Sequence, residues 1–144
     1  MPVVVRAVDR EEFDAFIAEK VTLAEAERLL TSKNWTKEEL MERGEAFYAT
    51  NCAACHQANG QGIPPVFPAL KGSQVAMNDS ARHIEILMEG VQGSAMAAFG
   101  ESYSEVDIAS VITYTRQAWA NDQNGDGVIV TPQDIVAYKN RIDL

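Results

Sequence analysis

Two cysteines and a histidine stand together in this chain, as Cys52-Ala53-Ala54-Cys55-His56, and the sequence has no other cysteine. C-x-x-C-H is the attachment pattern of c-type haem. Two thiols three positions apart on a helical turn can each add to a haem vinyl group, and the next residue presents an imidazole beneath the iron. A thioredoxin-like dithiol would sit where a strand leads into a helix, whereas this motif follows an amphipathic helix over residues 36–50. A structural zinc site needs four nitrogen or sulfur ligands, and the chain offers only Cys52, Cys55, His56 and His83. A disulfide across so short a loop would be strained and would leave His56 without a role. Covalent haem attachment is therefore the reading taken.

A haem that only moves electrons also wants a sixth ligand, commonly methionine. Of the five methionines, Met41 and Met88 fall on helix faces and read as core. Met77 precedes a polar turn at Asn78-Asp79-Ser80. Met96 sits in the small-residue loop Gly93-Ser94-Ala95-Met96-Ala97-Ala98-Phe99-Gly100, which can bring a thioether to a metal as a helix interior cannot. Metal ligation is accordingly expected at His56 and Met96.

With these residues in place, positions 36–120 resemble class I cytochromes c. Gly44 and Tyr48 resemble the small and aromatic residues of that family's N-terminal helix, and Val111 and Tyr114 their partners on the last helix. Pro68 resembles the proline whose carbonyl accepts a hydrogen bond from the ligating imidazole, a contact that fixes the ring and raises its basicity. The resemblance implies an all-α fold around one covalent haem c, with Leu70 and Phe99 joining Cys52, Cys55, His56, Pro68 and Met96 as cofactor-binding residues. Ala97 stands where the family more often has proline.

The flanks narrow the resemblance. Met1-Pro2-Val3-Val4-Val5-Arg6-Ala7-Val8 resembles the last strand of the copper domain of cytochrome c oxidase subunit II, and Glu11-Glu12-Phe13-Asp14-Ala15-Phe16 the helix leaving it. That is the layout of caa3-type oxidases, in which a cytochrome domain follows the copper domain. Met1 would be a copper-ligand position or an initiator. The resemblance implies an electron carrier, not an enzyme by itself. It would take electrons from an upstream cytochrome or quinol-oxidising complex and pass them to the copper centre, alongside other oxidase subunits. Its place would be the outer face of the bacterial inner membrane, anchored by upstream helices. A free-standing periplasmic shuttle, and a haem enzyme or sensor with an open sixth position, are the alternatives.

These expectations divide the chain into an extension (1–34), a haem domain (35–121) and a C-terminal turn and helix (122–144). Residues 3–8 read as a strand, expected to be frayed because the rest of its sheet is absent from this sequence. Asp9 caps a helix over 10–20, and Thr22 a second over 23–31, whose Leu23, Ala26, Leu29 and Leu30 form a stripe to lie on the domain. Thr36 with Glu39, and Ser104 with Asp107, mark the starts of two further helices, the second running to about 120. Another begins at Ser80, and Pro132 opens a terminal one. The long connection over 51–79 would count against a compact domain unless a cofactor supplies core. Asp122, Asn124 and Asp126 match the first half of a calcium loop. Its twelfth position, however, is Gln133, and such stretches are usually turns, so calcium is the lesser expectation.

A net charge of -9 disfavours nucleic acid as a partner, and no apolar run is long enough to span a membrane. Residues 46–70 and 90–100, the segments expected around the haem, contain no Asp, Glu, Lys or Arg. They offer an uncharged docking face, or they are uncharged because they bury the cofactor.

Overall fold

The protein is described by a computed structural model covering residues 4–142. Its frame is a crossing of two helices, α2 (Lys37–Asn51) and α6 (Glu105–Gln117). The α2 start is the capping box read from the sequence: Thr36 accepts from Glu39 N–H at 3.2 Å while the Glu39 carboxylate accepts from Thr36 N–H at 3.0 Å. The crossing is close because Gly44 has no side chain. A Cβ there would stand 2.1 Å from the Ser110 carbonyl oxygen and 2.7 Å from Tyr114 Cβ. Almost all of α6 is buried, with Ile112 wholly so. Burying an aliphatic side chain of this size contributes about 1.5–3 kcal/mol.

Short helices α3 (Ala53–His56) and α4 (Gln74–Asn78) interrupt the long connection, and α5 (Ser80–Glu89) closes one side of the core through Ile84, Leu87 and Met88. Helix α5 begins at Ser80 as expected and is capped by Asp79, which accepts from Arg82 N–H at 2.9 Å. Helix α6 ends three residues earlier than expected. Trp119 (φ 56) and Ala120 (φ 67) are left-handed, and the chain turns there into the short α7 (Asn121–Asn124). The C-terminal helix α8 (Pro132–Ile142) packs on α6. Its start is fixed by Asp134, which accepts from Thr131 N–H and Oγ1 at 2.7 Å each. Ile135 is fully buried, and Thr113 Oγ1 donates to the Val130 carbonyl while accepting from its N–H. Residues 130–138 thus share the core formed by α2, α5 and α6 and are not a loose appendage.

The N-terminal expectations are corrected in part. Residues 4–9 are exposed and form no strand, and with no neighbouring sheet edge among the described residues the stretch is unpaired, as expected; Met1 lies outside them. The two helices expected over 10–31 are one, α1 (Arg10–Ser32), capped by Asp9 as anticipated. Thr22 does not start a new helix: its Oγ1 donates to the Ala18 carbonyl at 3.0 Å, and no Gly or Pro interrupts the stretch. Nor does the stripe lie on the domain, for Leu23 and Leu29 are 51% and 72% exposed. Only the end of α1 is tied down, through Gln133 Nε2 donating to the Thr31 carbonyl at 2.9 Å.

Candidate functional site

Cys52 caps the end of α2 and the start of α3. Its carbonyl accepts from Cys55 N–H at 3.1 Å and from His56 N–H at 2.9 Å, so the motif is a single tight helical turn. Gln57 (φ 63) then breaks the turn, and its carbonyl is held by the Tyr48 hydroxyl at 2.6 Å.

The returning loop forms a bracket. Leu70 N–H and Lys71 N–H both donate to the Gly60 carbonyl, at 2.8 and 2.9 Å, and Gly62 N–H donates to the His56 carbonyl at 2.9 Å. Gly62 is required here, since a Cβ would stand 2.4 Å from the Phe67 carbonyl oxygen. The bracket brings the Pro68 carbonyl 2.9 Å from His56 Nδ1. A carbonyl can only accept, so Nδ1 carries a proton, and in the neutral ring Nε2 keeps its lone pair. Nε2 has no hydrogen-bond partner among the described residues. The contact implied by the family resemblance is therefore present, and it leaves Nε2 free.

Both cysteines are free thiols. Burial, and secondarily Cys55, pushes the Cys52 thiol up to about 11. A dithiol used for redox exchange needs its thiolate near neutral pH, so this shift speaks against the thioredoxin-like alternative. Among the described residues no group of three or more His, Cys, Asp or Glu could hold a metal ion, as the zinc alternative would need.

The Met96 loop is built on Gly90 (φ 73), where a Cβ would fall 2.7 Å from the Met96 carbonyl oxygen. Val91 N–H donates to that carbonyl at 3.0 Å, and Met96 N–H to Ser94 Oγ at 3.1 Å. Phe99 N–H and Gly100 N–H tie the loop's end to the Leu87 and Met88 carbonyls. Phe99 stacks on Tyr103 at 5.6 Å and meets the edge of Phe47 at 6.5 Å. Cys52, Leu70, Met96 and Phe99 all pack, partly buried, against the same core. Met88 is buried and Met41 partly buried, as expected of core; Met77, expected at a turn, is buried in α4.

The calcium expectation finds a different use for its residues. Asp126 pairs with the buried Arg116 and accepts from Val128 N–H at 2.9 Å. Asn124 donates to the Ala120 carbonyl, and Gln133 turns away to α1. Two residues near the site went unmarked in the sequence: Trp119, whose ring covers Gly60, and Asn121, which bonds Leu70 and Gly72. Neither belongs to a motif, and only the ring count near Tyr48 and Tyr114 could have hinted at Trp119.

Residues 30–114 match the family described as cytochrome C oxidase, cbb3-type, subunit III. Cytochrome c-552 of Thermus thermophilus is 30% identical over 129 residues, covering 70% of this chain and 97% of that protein. The cytochrome c subunit of alcohol dehydrogenase (quinone) from Gluconobacter oxydans is 28% identical over 92 residues, covering 57% of this chain and 19% of that protein. This chain thus spans about a fifth of that subunit. The crystal structure of cytochrome cL from Hyphomicrobium denitrificans aligns with a TM-score of 0.41 and 22% identity, over 70% of this chain and 64% of that one, less than two thirds of its length. The donor set (two free thiols, an imidazole with Nε2 open, a thioether in a built loop) fits the haem c that the family implies. The fold is that of class I cytochromes c, and the chain belongs to the cytochrome c family.

Proposed function

We propose that this chain is the electron-carrying domain of a caa3-type cytochrome c oxidase subunit II, with haem c attached through Cys52 and Cys55 and ligated by His56 and Met96. When bound, the haem supplies a one-electron Fe(III)/Fe(II) couple. The chain's own residues set its behaviour. Pro68 holds the His56 ring in one tautomer and, by accepting a hydrogen bond from Nδ1–H, makes Nε2 the stronger donor. The Gly90-based loop presents Met96 without a helix around it, and Leu70 and Phe99 keep water away. The observation that carries this reading is the His56–Pro68 contact at 2.9 Å beside two free thiols.

The donor would be a respiratory cytochrome or quinol-oxidising complex and the acceptor the subunit II copper centre, at the outer face of a bacterial inner membrane. The N-terminal likeness to the end of a copper domain supports that assignment, and so does the uncharged surface. Ile63 and Val66, within residues 46–70, are 47% and 67% exposed, a surface suited to apolar contact with a partner. Residues 1–34 would join the two domains and residues 35–121 carry the haem. No helix among the described residues is long and apolar enough to cross a membrane.

A second reading, a free-standing shuttle, is favoured by the match over 97% of cytochrome c-552, which shows such a domain making up nearly a whole protein. Rapid mixing of the reduced protein with an isolated subunit II copper domain separates the two. Fast single-phase oxidation supports the first, and no transfer refutes it. Met96→Ala tests the ligand set: the weak long-wavelength band of the oxidised protein should vanish, and its survival would refute Met96.

A further inference from the structure

We propose that Trp119 and Asn121 act as a clamp that positions the Pro68 carbonyl on His56 and so sets how strongly the imidazole donates. The inference rests on His56 being the iron's ligand.

Trp119 (φ 56, ψ 29) and Ala120 (φ 67, ψ 19) are consecutive left-handed residues directly after α6. L side chains rarely adopt that conformation, least of all a bulky aromatic. Such strain persists only where the surroundings over-determine it, and it concentrates at functional sites. Here the reversal lets residues 119 and 121 face one loop. The Trp119 ring packs edge-on to Tyr48 and Tyr114, with centroids at 5.2 and 5.6 Å. Its benzo edge occupies the space beside Gly60, where a Cβ would lie 2.5 Å from Cε3. Asn121 is 1% exposed. Its amide nitrogen donates to the Leu70 carbonyl at 3.1 Å and to the Thr115 carbonyl at 2.8 Å, while its oxygen accepts from Gly72 N–H at 2.8 Å.

The two anchors grip opposite legs of one bracket. Trp119 sits on Gly60, whose carbonyl receives Leu70 N–H and Lys71 N–H; Asn121 holds Leu70 and Gly72. Pro68 lies between these legs, and its carbonyl is the partner of His56 Nδ1. The same Trp119 ring backs Tyr48, whose hydroxyl fixes the Gln57 carbonyl next to His56. Both ends of the imidazole's hydrogen bond are therefore tied to two residues just beyond the end of α6, Trp119 and Asn121. Loosening the clamp would weaken the Nδ1–H···O=C bond, lower the basicity of Nε2 and favour the ferrous state.

The test uses the full-length haem-loaded protein and two readouts. One is the exchange rate of the His56 Nδ1 proton, by NMR of the reduced form. The other is the ferric-to-ferrous ratio at one fixed ambient potential. Trp119→Leu and Asn121→Ala should speed exchange roughly tenfold, the scale of one hydrogen bond, and shift the ratio several-fold toward ferrous. Trp119→Phe keeps a ring on Gly60 and should stay near the parent. Val130→Ala, a buried change on the α8 side, should lower the urea midpoint and move neither readout. If Trp119→Leu fails to load haem, Asn121→Ala carries the test. The clamp is overturned if the Asn121 and Trp119 variants lose stability as Val130→Ala does with exchange and ratio unchanged. A low-spin spectrum surviving His56→Gly would instead overturn the ligand assignment on which it rests.

Discussion

His83 should make this protein acid-labile well above the carboxylate range. The side chain lies on α5 with its Nδ1 buried and unpartnered among the described residues. Burial, then the Arg116 guanidinium, push it down to about 4, with Asp79 pulling weakly the other way. In the unfolded chain it titrates near 6.5. The folded value is the lower one, so the unfolded chain binds the extra proton. His83's contribution to stability is whole above about pH 6.5, declines as pH falls through that value, and is exhausted once pH passes below the folded value. At 1.36 kcal/mol per pH unit, the gap between 6.5 and about 4 amounts to about 3 kcal/mol. That is a large share of a total that for most domains is about 5–15 kcal/mol. The perturbation is His83→Leu, which removes the titrating ring and its orphaned nitrogen while filling similar space. The assay is urea unfolding of the haem-loaded protein at several values between about pH 7 and pH 4. The variant should match or slightly exceed the parent at neutral pH and open a lead of about 3 kcal/mol at the acid end. The depressed carboxylates Glu39, Glu105 and Asp126 are common to both proteins and cancel in the comparison. A difference that stays flat with pH would refute the reasoning.

Gly44→Ala gains about 1 kcal/mol on an exposed helix. Here the new Cβ would meet the Ser110 carbonyl oxygen at 2.1 Å, so a loss of at least about 2 kcal/mol in urea is expected, and a gain would disprove the tight crossing. Asp126→Asn leaves the Arg116 charge buried beside neutral partners. Because the Asp126 side chain is 34% exposed, the cost at neutral pH should be about 2 kcal/mol, below that of a fully buried pair. It should shrink in acid, where the parent's own carboxylate protonates. Electron exchange with a partner across the uncharged face should vary less than about twofold between low and physiological salt, and a steep salt slope in stopped-flow rates would refute that face.

The helix crossing was legible because its determinants are local or periodic. Thr36 with Glu39, and Ser104 with Asp107, are capping pairs three residues apart, and both helices begin where they indicate. The same rule failed at Thr22, which also has a glutamate three residues on. A cap signal inside an uninterrupted run of helix formers loses to continuation of the helix, because the threonine hydroxyl can bond back to Ala18 at no cost in backbone geometry. The exposed Leu23 and Leu29 show a related limit. An apolar stripe says that a face can be buried, but not that a partner for it lies in the same chain.

The site divides along the same line. Cys52, Cys55 and His56 fall within five consecutive positions, so their chemistry is written in one stretch. Pro68 is twelve residues from His56 and could be assigned only through family likeness. Asn121 reaches Leu70 across 51 residues, and its neighbour Trp119 adopts a backbone conformation that no propensity for tryptophan would suggest. A residue acting through another residue carries no spacing rule, because the fold, not the chain, sets its distance from the chemistry. What marks such a residue is strain that its own contacts must repay. At Trp119 those contacts are two tyrosine rings and a glycine backbone, all belonging to the elements that hold His56. The Cys52–His56 motif can therefore be read in order along the sequence, while the contacts of Trp119 and Asn121 with the loop that carries Pro68 emerge only where the chain turns beyond α6.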